Sequence, residues 1–342
     1  MRVAAAPHYD RGMTGQRVLG AVALAAVVGA LLFLPQQSTA YELRWDVRTL
    51  RDGIPPIYDP SLTTPDNIDL APEEMVLAVE INGDARAYPI EPLVSYEIVN
   101  DVVGGVPVAI TWCPLCYTGL VYERVWEGQT LTLGVQGALY KGAQTWWDHE
   151  TGSIWSQVFG EALDGPLDGA QLRPVVASLT PWGSWLKQHP TTLVMKQRLR
   201  FGAPNSSFHN QRSPRDIWVI GVDIDGAAAG FYFDETARLG VQQALVGDTP
   251  VVAFADVESR IVRTYEARAD GRPLTFDVVG TELTDRETGT RWDALSGAAV
   301  SGPLVGTRLT PVPYFSIWDW ALRLHYGKDT RIYPLDLVDA AQ

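Results

Sequence analysis

Cys113 and Cys116 are the two cysteines of the chain, and they stand two residues apart in Trp112-Cys113-Pro114-Leu115-Cys116. Thiols at that spacing can close a very short disulfide, ligate a soft metal such as Cu(I) or Zn(II), or cycle between dithiol and disulfide. So small a loop gains little stability from chain entropy, so a purely structural bridge needs another justification. Zinc would require further ligands from elsewhere in the fold. Thioredoxin-type sites also place Trp-Cys after a strand, but their thiolate relies on a helix that begins at the motif. Here YTGLVYERV follows, and its Gly, β-branched and aromatic residues predict a turn into another strand. The pair therefore reads as a redox or copper/zinc centre outside the thioredoxin fold. The alternative is a non-catalytic extracytoplasmic binding or scaffold module stapled by a Cys113–Cys116 disulfide.

The elements that must hold this pair occur twice. Val76–Gly137 aligns without a gap on Val219–Gly280, and Asp148–Val176 on Asp285–Pro313, with about half of the second block identical. What both copies keep is expected to serve folding, and what one keeps alone is a candidate for chemistry. Cys113 and Cys116 face Asp256 and Ser259 in the alignment, so the chemistry is expected in the first copy. Each copy opens with a hairpin, Met75–Ile81 and Ala85–Ile90 around Asn82-Gly83 in the first. Helical spacing over Glu91–Asp101 and an apolar strand over Val106–Trp112 come next, then strands at Gly119–Val125, Thr130–Val135, Ser153–Phe159 and Leu172–Ala177. A short helix is predicted at Pro181–His189 and a longer one near Ser316–His325. The fold class is α+β, mainly β: a tandem duplication of a strand-rich unit of about 120 residues. The segments are an N-terminal arm at 41–75, a first repeat at 76–200, a linker at 201–218 and a second repeat at 219–342.

Candidate partners for the thiols follow from the asymmetry. His189 and His325 match each other near helix ends and read as structural, whereas His149 and His209 have no counterpart and could serve as metal ligand or proton carrier. His149 is the candidate third ligand beside Cys113 and Cys116. Six extra residues of the first copy fall within Ala138–Trp147 and read as an aromatic-rich loop. With Trp112, its Tyr140, Lys141, Gln144, Trp146 and Trp147 are the candidate wall of a substrate pocket. A carbohydrate surface of Trp126, Trp146 and Trp147 is a weaker reading. Asp148 and Glu150 recur as Asp285 and Glu287 beside Thr-Gly and predict a turn.

Arg2, Arg11 and Arg17 precede an apolar run from Val18 to Leu34, followed by Ser38-Thr39-Ala40. Residues 1–40 thus read as an export signal or, through 18–34, as a membrane anchor, placing the body in the periplasm or outside the cell. The segment contributes +2 to a net charge of −13, so residues from 41 onward carry −15. Such a body repels phosphates, which argues against a nucleic-acid partner and against membrane contact beyond the N-terminal segment. A small molecule, a metal ion or a redox partner protein is expected instead.

VNDVVGGVPVAITWCPLC (Val99–Cys116) and LYKGAQTWWDHETGSIWSQVFGEALDGPLDG (Leu139–Gly169) resemble exported proteins of domain-of-unknown-function family 3179. The likeness covers about Pro72 to Pro190 and, through the duplication, extends toward the whole exported body. It implies no established activity. The family's Cys-Pro-x-Cys segment corresponds to Cys113, Pro114 and Cys116. Similar proteins often carry His where this chain has Tyr96, and Asn where it has Lys141. A metal site needing that His would lose a ligand here, so Tyr96 is the candidate that coordinates or donates a hydrogen bond, and the exchange favours redox over metal chemistry.

Overall fold

A continuous apolar run, Val76–Val79, is buried on both faces of its strand, and a two-residue turn at Asn82-Gly83, both at positive φ, gives the first hairpin its register. This computed structural model describes residues 46–197 and 217–334. The export or anchor segment 1–40, nearly all of the 201–218 linker, His8 and His209 lie outside the described residues. No helix among those described is long and apolar enough to cross a membrane.

The fold is mainly β, with four α-helices of seven or eight residues among the described residues. In the first half, β1 (Met75–Ile81) and β2 (Asp84–Pro89) lead into α1 (Ile90–Tyr96), then β3 (Ile98–Val103), β4 (Val106–Cys113) and β5 (Thr118–Glu123). β6 (Leu133–Tyr140), β7 (Ala143–Asp148), β8 (Ile154–Ser156) and β9 (Ala162–Asp164) form a meander, and β10 (Ala177–Pro181) returns to pair with β1 ahead of α2 (Trp182–Gln188). The second half has the same order. β11 (Trp218–Ile224), β12 (Ala227–Tyr232), α3 (Phe233–Leu239), β13 (Val241–Val246), β14 (Thr249–Ala255) and β15 (Val262–Glu266) come first. The meander β16 (Phe276–Val279), β17 (Glu282–Asp285), β18 (Arg291–Asp293) and β19 (Ala299–Ser301) follows, and β20 (Phe315–Trp318) pairs with β11 ahead of α4 (Asp319–Tyr326). Registers agree as well: Val108 faces Glu123 as Val251 faces Glu266.

Three boundaries depart from the sequence reading. Helical spacing in Glu91–Asp101 breaks at Glu97, which turns left-handed (φ 60°), so Ile98–Val103 becomes a strand. Ser316–His325 divides into β20 and α4, because Ser316 and Ile317 pair with β11. The excess residues of the first half form no loose loop. Lys141 and Gly142, both at positive φ, close a tight hairpin, and the extra residues lengthen β6 and β7.

The described residues form one compact unit. One apolar core draws on both halves, including Leu77, Ile110, Trp112 and Trp155 from the first and Val219, Phe231, Ile317 and Leu322 from the second. A second cluster around Phe254, Phe276, Leu283 and Trp292 belongs to the second half. Both halves keep one polar anchor. Asp148 accepts from Thr151 N (2.6 Å) and Trp155 Nε1 (2.9 Å), and Asp285 does the same with Thr288 N (2.6 Å) and Trp292 Nε1 (2.9 Å).

A candidate dithiol site at the end of β4

β4 delivers Cys113 to a tight turn, Pro114–Tyr117, from which β5 starts at Thr118, directly opposite Cys113. No helix begins here. Cys113 is 1 % exposed and Cys116 fully buried, and in the structure both are free thiols. Burial alone would push the Cys113 thiol up. The Cys116 thiol and the backbone N–H groups of Cys116, Gln144 and Leu115 all donate to its sulfur, and together they hold it below the ordinary thiol range. Burial and the neighbouring Cys113 push Cys116 well above that range, with Thr118 Oγ1 donating to its sulfur at 3.1 Å. The pair is therefore unequal: an anion-holding Cys113 and a proton-holding Cys116.

The second half shows what this turn is built to hold. Asp256 stands at the Cys113 position, and its Oδ1 accepts from Ser259 N (2.7 Å) and from the Ser259 hydroxyl. Cys113 receives the backbone N–H and the side-chain proton of Cys116 in the same way. A carboxylate in one half and a sulfur in the other occupy one anion-accepting place.

Glu97 joins this site, and sequence reasoning missed it. It caps α1 with a left-handed backbone, a conformation unfavourable for any residue with a Cβ. Its carbonyl accepts Trp112 N–H at 2.8 Å, just as the carbonyl of Gly240 accepts Ala255 N–H at 3.2 Å. The signal was therefore present: a glutamate aligned with a glycine that needs φ 79°. The residue keeps some surface in solvent, but burial of its carboxyl and the negative charge on Cys113 push its pKa up to about 8. Near neutrality Glu97 is a protonated acid beside a thiol whose anion the turn favours.

The other expected residues are divided among different surroundings. Trp112 lies on the opposite face of β4 from Cys113, packed edge-on to Tyr117 at 5.1 Å. Trp146 is fully buried against Tyr122, so it cannot serve a carbohydrate surface. Trp147 faces the other way and stacks on His149 at 4.3 Å. His149 also meets the Tyr58 hydroxyl at 3.2 Å and Asp52 at 3.6 Å. Tyr140 and Lys141 reach the second half, where Lys141 Nζ donates to His325 O at 2.9 Å. Tyr96 receives a hydrogen bond from Gln197 Nε2 at 3.1 Å. Of the proposed wall, Gln144 reaches the Cys113 sulfur, through its backbone.

Among the described residues no three His, Cys, Asp or Glu side chains are gathered as a metal would need. The expected set of Cys113, Cys116 and His149 is not assembled, because pairing of β6 with β7 carries His149 to Asp52 and Tyr58. Two thiols fall short of the four-ligand shell that zinc takes in structural sites.

The family model described as "Protein of unknown function (DUF3179)" matches residues 51–322. The chain belongs to the DUF3179 family. The match spans both halves, well beyond the two strings that carry the resemblance in sequence. Searches of curated proteins and of solved structures find no match. Within this DUF3179 protein the dithiol turn, Glu97 and the Gln144 backbone form the assembled site, and the aromatic residues of β6 and β7 serve several neighbourhoods.

Proposed function

We propose that Cys113 and Cys116 form a two-electron thiol-redox couple, with Cys113 as the thiolate and Cys116 as the thiol that closes the disulfide. The observation that supports it most is the shared anion place: the turn that holds the Asp256 carboxylate in one half holds sulfur in the other. On oxidation the pair gives up two electrons and the Cys116 proton as the S–S bond forms. On reduction the couple takes up two electrons and one proton, and that proton returns to Cys116. A thiolate held by several N–H donors is a stabilised leaving group, which makes the bridge more easily reduced than a structural one.

Equilibration in dithiothreitol buffers tests this. A potential above the roughly −300 mV characteristic of structural bridges is expected. Thiolate absorbance of a Cys116→Ser variant should titrate below the ordinary cysteine value of about 8.5. A lower potential together with an ordinary Cys113 titration would overturn the reading. Near-complete burial of both sulfurs favours a second reading, a structural pair in a binding or scaffold module, and that result would establish it.

The same proposal extends to origin and place. The matching element order and registers support descent of the halves from one duplicated unit, with the chemistry kept in the first. The basic and apolar pattern of residues 1–40 supports export, to the periplasm or the cell exterior.

A further inference from the structure

What oxidises the couple can be read from the face on which Cys113 lies, and this step rests on the redox reading above. Residues along paired strands alternate sides, so Thr111, Cys113, Thr118 and Tyr122 share one face of β4 and β5. β7 packs onto that face: Trp146 meets Tyr122 at 5.5 Å, and Gln144 N–H reaches Cys113. Gln144 precedes Trp146 by two residues and so projects the same way. Gln157 completes the group, with Nε2 donating to Thr111 Oγ1 at 3.2 Å and Thr118 O at 3.0 Å.

This interior has unmet hydrogen-bonding capacity. Gln144 Nε2 and Oε1, Gln157 Oε1 and Trp146 Nε1 are buried without a partner, and none of these residues is more than 3 % exposed. Buried polar atoms ordinarily find protein or a water-sized molecule, because leaving them empty is costly. The second half has no such need. Phe254, Ile261, Ala294 and Leu283 stand where the first has Thr111, Thr118, Gln157 and Trp146, and all four are buried apolar residues.

We propose that this face admits a small uncharged hydroperoxide, hydrogen peroxide being the simplest, as the oxidant of Cys113. Two orphaned N–H groups and two orphaned oxygens suit a molecule that both donates and accepts. The surrounding Thr111, Thr118, Gln144, Gln157 and Trp146 are neutral and Glu97 is acidic, so nothing in the group recruits an anion. Burial of both sulfurs excludes a protein disulfide or a bulky peptide disulfide without opening of the fold. The Cys113 thiolate attacks one peroxide oxygen, the O–O bond breaks, and a sulfenic acid forms. The departing hydroxide takes the Glu97 proton and becomes water. Cys116 then attacks the sulfenic sulfur, the S–S bond forms, and its proton leaves with the hydroxyl as a second water. Peroxide gains two electrons, and the dithiol loses them.

The test uses the reduced full chain and follows oxidation by stopped-flow tryptophan fluorescence. Hydrogen peroxide should react on the order of 100-fold faster than glutathione disulfide, and the Cys116→Ser variant should accumulate a dimedone-reactive sulfenic acid at Cys113. Gln157→Ala, which installs the residue found at Ala294, and Gln144→Leu should each slow peroxide about tenfold while leaving the equilibrium potential in place. Near-UV circular dichroism identifies any variant that has lost its packing, and the other then decides. Glutathione disulfide reacting as fast as peroxide, or unchanged peroxide rates in the folded variants, would overturn the proposal. A structural-bridge potential would instead remove the redox reading beneath it.

Discussion

The two halves share a frame and differ in what they enclose. On the inner face of the hairpin that ends in the turn, the first half carries Thr111, Cys113 and Thr118, and the second carries Phe254, Asp256 and Ile261. Above that face lie Gln157 in one and Ala294 in the other. Their backbones agree so closely that Tyr122 and Tyr265 make the same bonds: each hydroxyl donates at 2.9 Å to the carbonyl of its aligned partner, Gln157 or Ala294. In the second half Phe254, Ile261, Leu283 and Ala294 fill this face without sulfur. A frame of this kind can therefore enclose apolar side chains where the first half encloses polar ones, at a lower desolvation cost.

The broadest test of that comparison is the anchor that both halves keep. Asp148→Ala and Asp285→Ala each strand a buried Trp N–H and a Thr side chain, and each should cost about 3 kcal/mol in urea unfolding. Costs that differ by more than roughly 1 kcal/mol would show that the frames are not energetically equivalent.

Glu97 gives a sharper test. Glu97→Gly installs the residue of the second half and should relieve about 1 kcal/mol of left-handed strain. It also removes a carboxyl whose folded value, about 8, lies above the unfolded carboxylate range. Between roughly pH 4 and pH 8 the folded chain holds the extra proton, so the native protein loses stability as pH rises through that window. The variant should gain on it progressively. Cys113 titrates lower when folded and acts in the opposite sense at the upper end, so both proteins are best compared in a Cys113→Ser background. There burial alone raises the carboxyl, and the slope should persist over a narrower range. A pH-independent difference would mean that Glu97 is not held as an acid.

The smallest effect is expected at Lys141. Its ammonium bonds His325 O and lies 5.3 Å and 5.5 Å from the Tyr140 and Phe159 ring centres. Lys141→Asn should cost under about 1 kcal/mol in thermal unfolding and leave the Cys113 titration unchanged. A shift in that titration would tie the β6–β7 hairpin tip to the dithiol after all.

Much of this was legible in sequence because it is local. Short β-type apolar runs marked β1, β4 and β5, and the Asp-x-x-Thr-Gly pattern marked a turn that both halves build. The turn into a strand after Cys116 could be foreseen because Gly119 and the β-branched residues that follow favour a strand over a helix. Glu97 was hidden by a helical pattern that runs on to Asp101, and only its alignment with Gly240 betrays the left-handed turn. The scattering of the aromatic wall was invisible for another reason. Trp146 and Trp147 are adjacent in sequence, and a strand sends adjacent residues to opposite faces, one to Tyr122 and the other to His149. His149 likewise looked available to sulfur until pairing of β6 with β7 assigned it to Asp52 and Tyr58.

Trp318 N–H bonds Cys116 O at 3.0 Å, its ring stacks on Tyr117 at 4.6 Å, and Ser316 Oγ accepts Gly119 N–H at 3.3 Å. The backbone of the sulfur-bearing turn is thus held in part by the half that has no sulfur. Separating the halves would take from Cys116, Tyr117 and Gly119 the partners that fix their place, so the geometry of the dithiol turn depends on residues about 200 positions away.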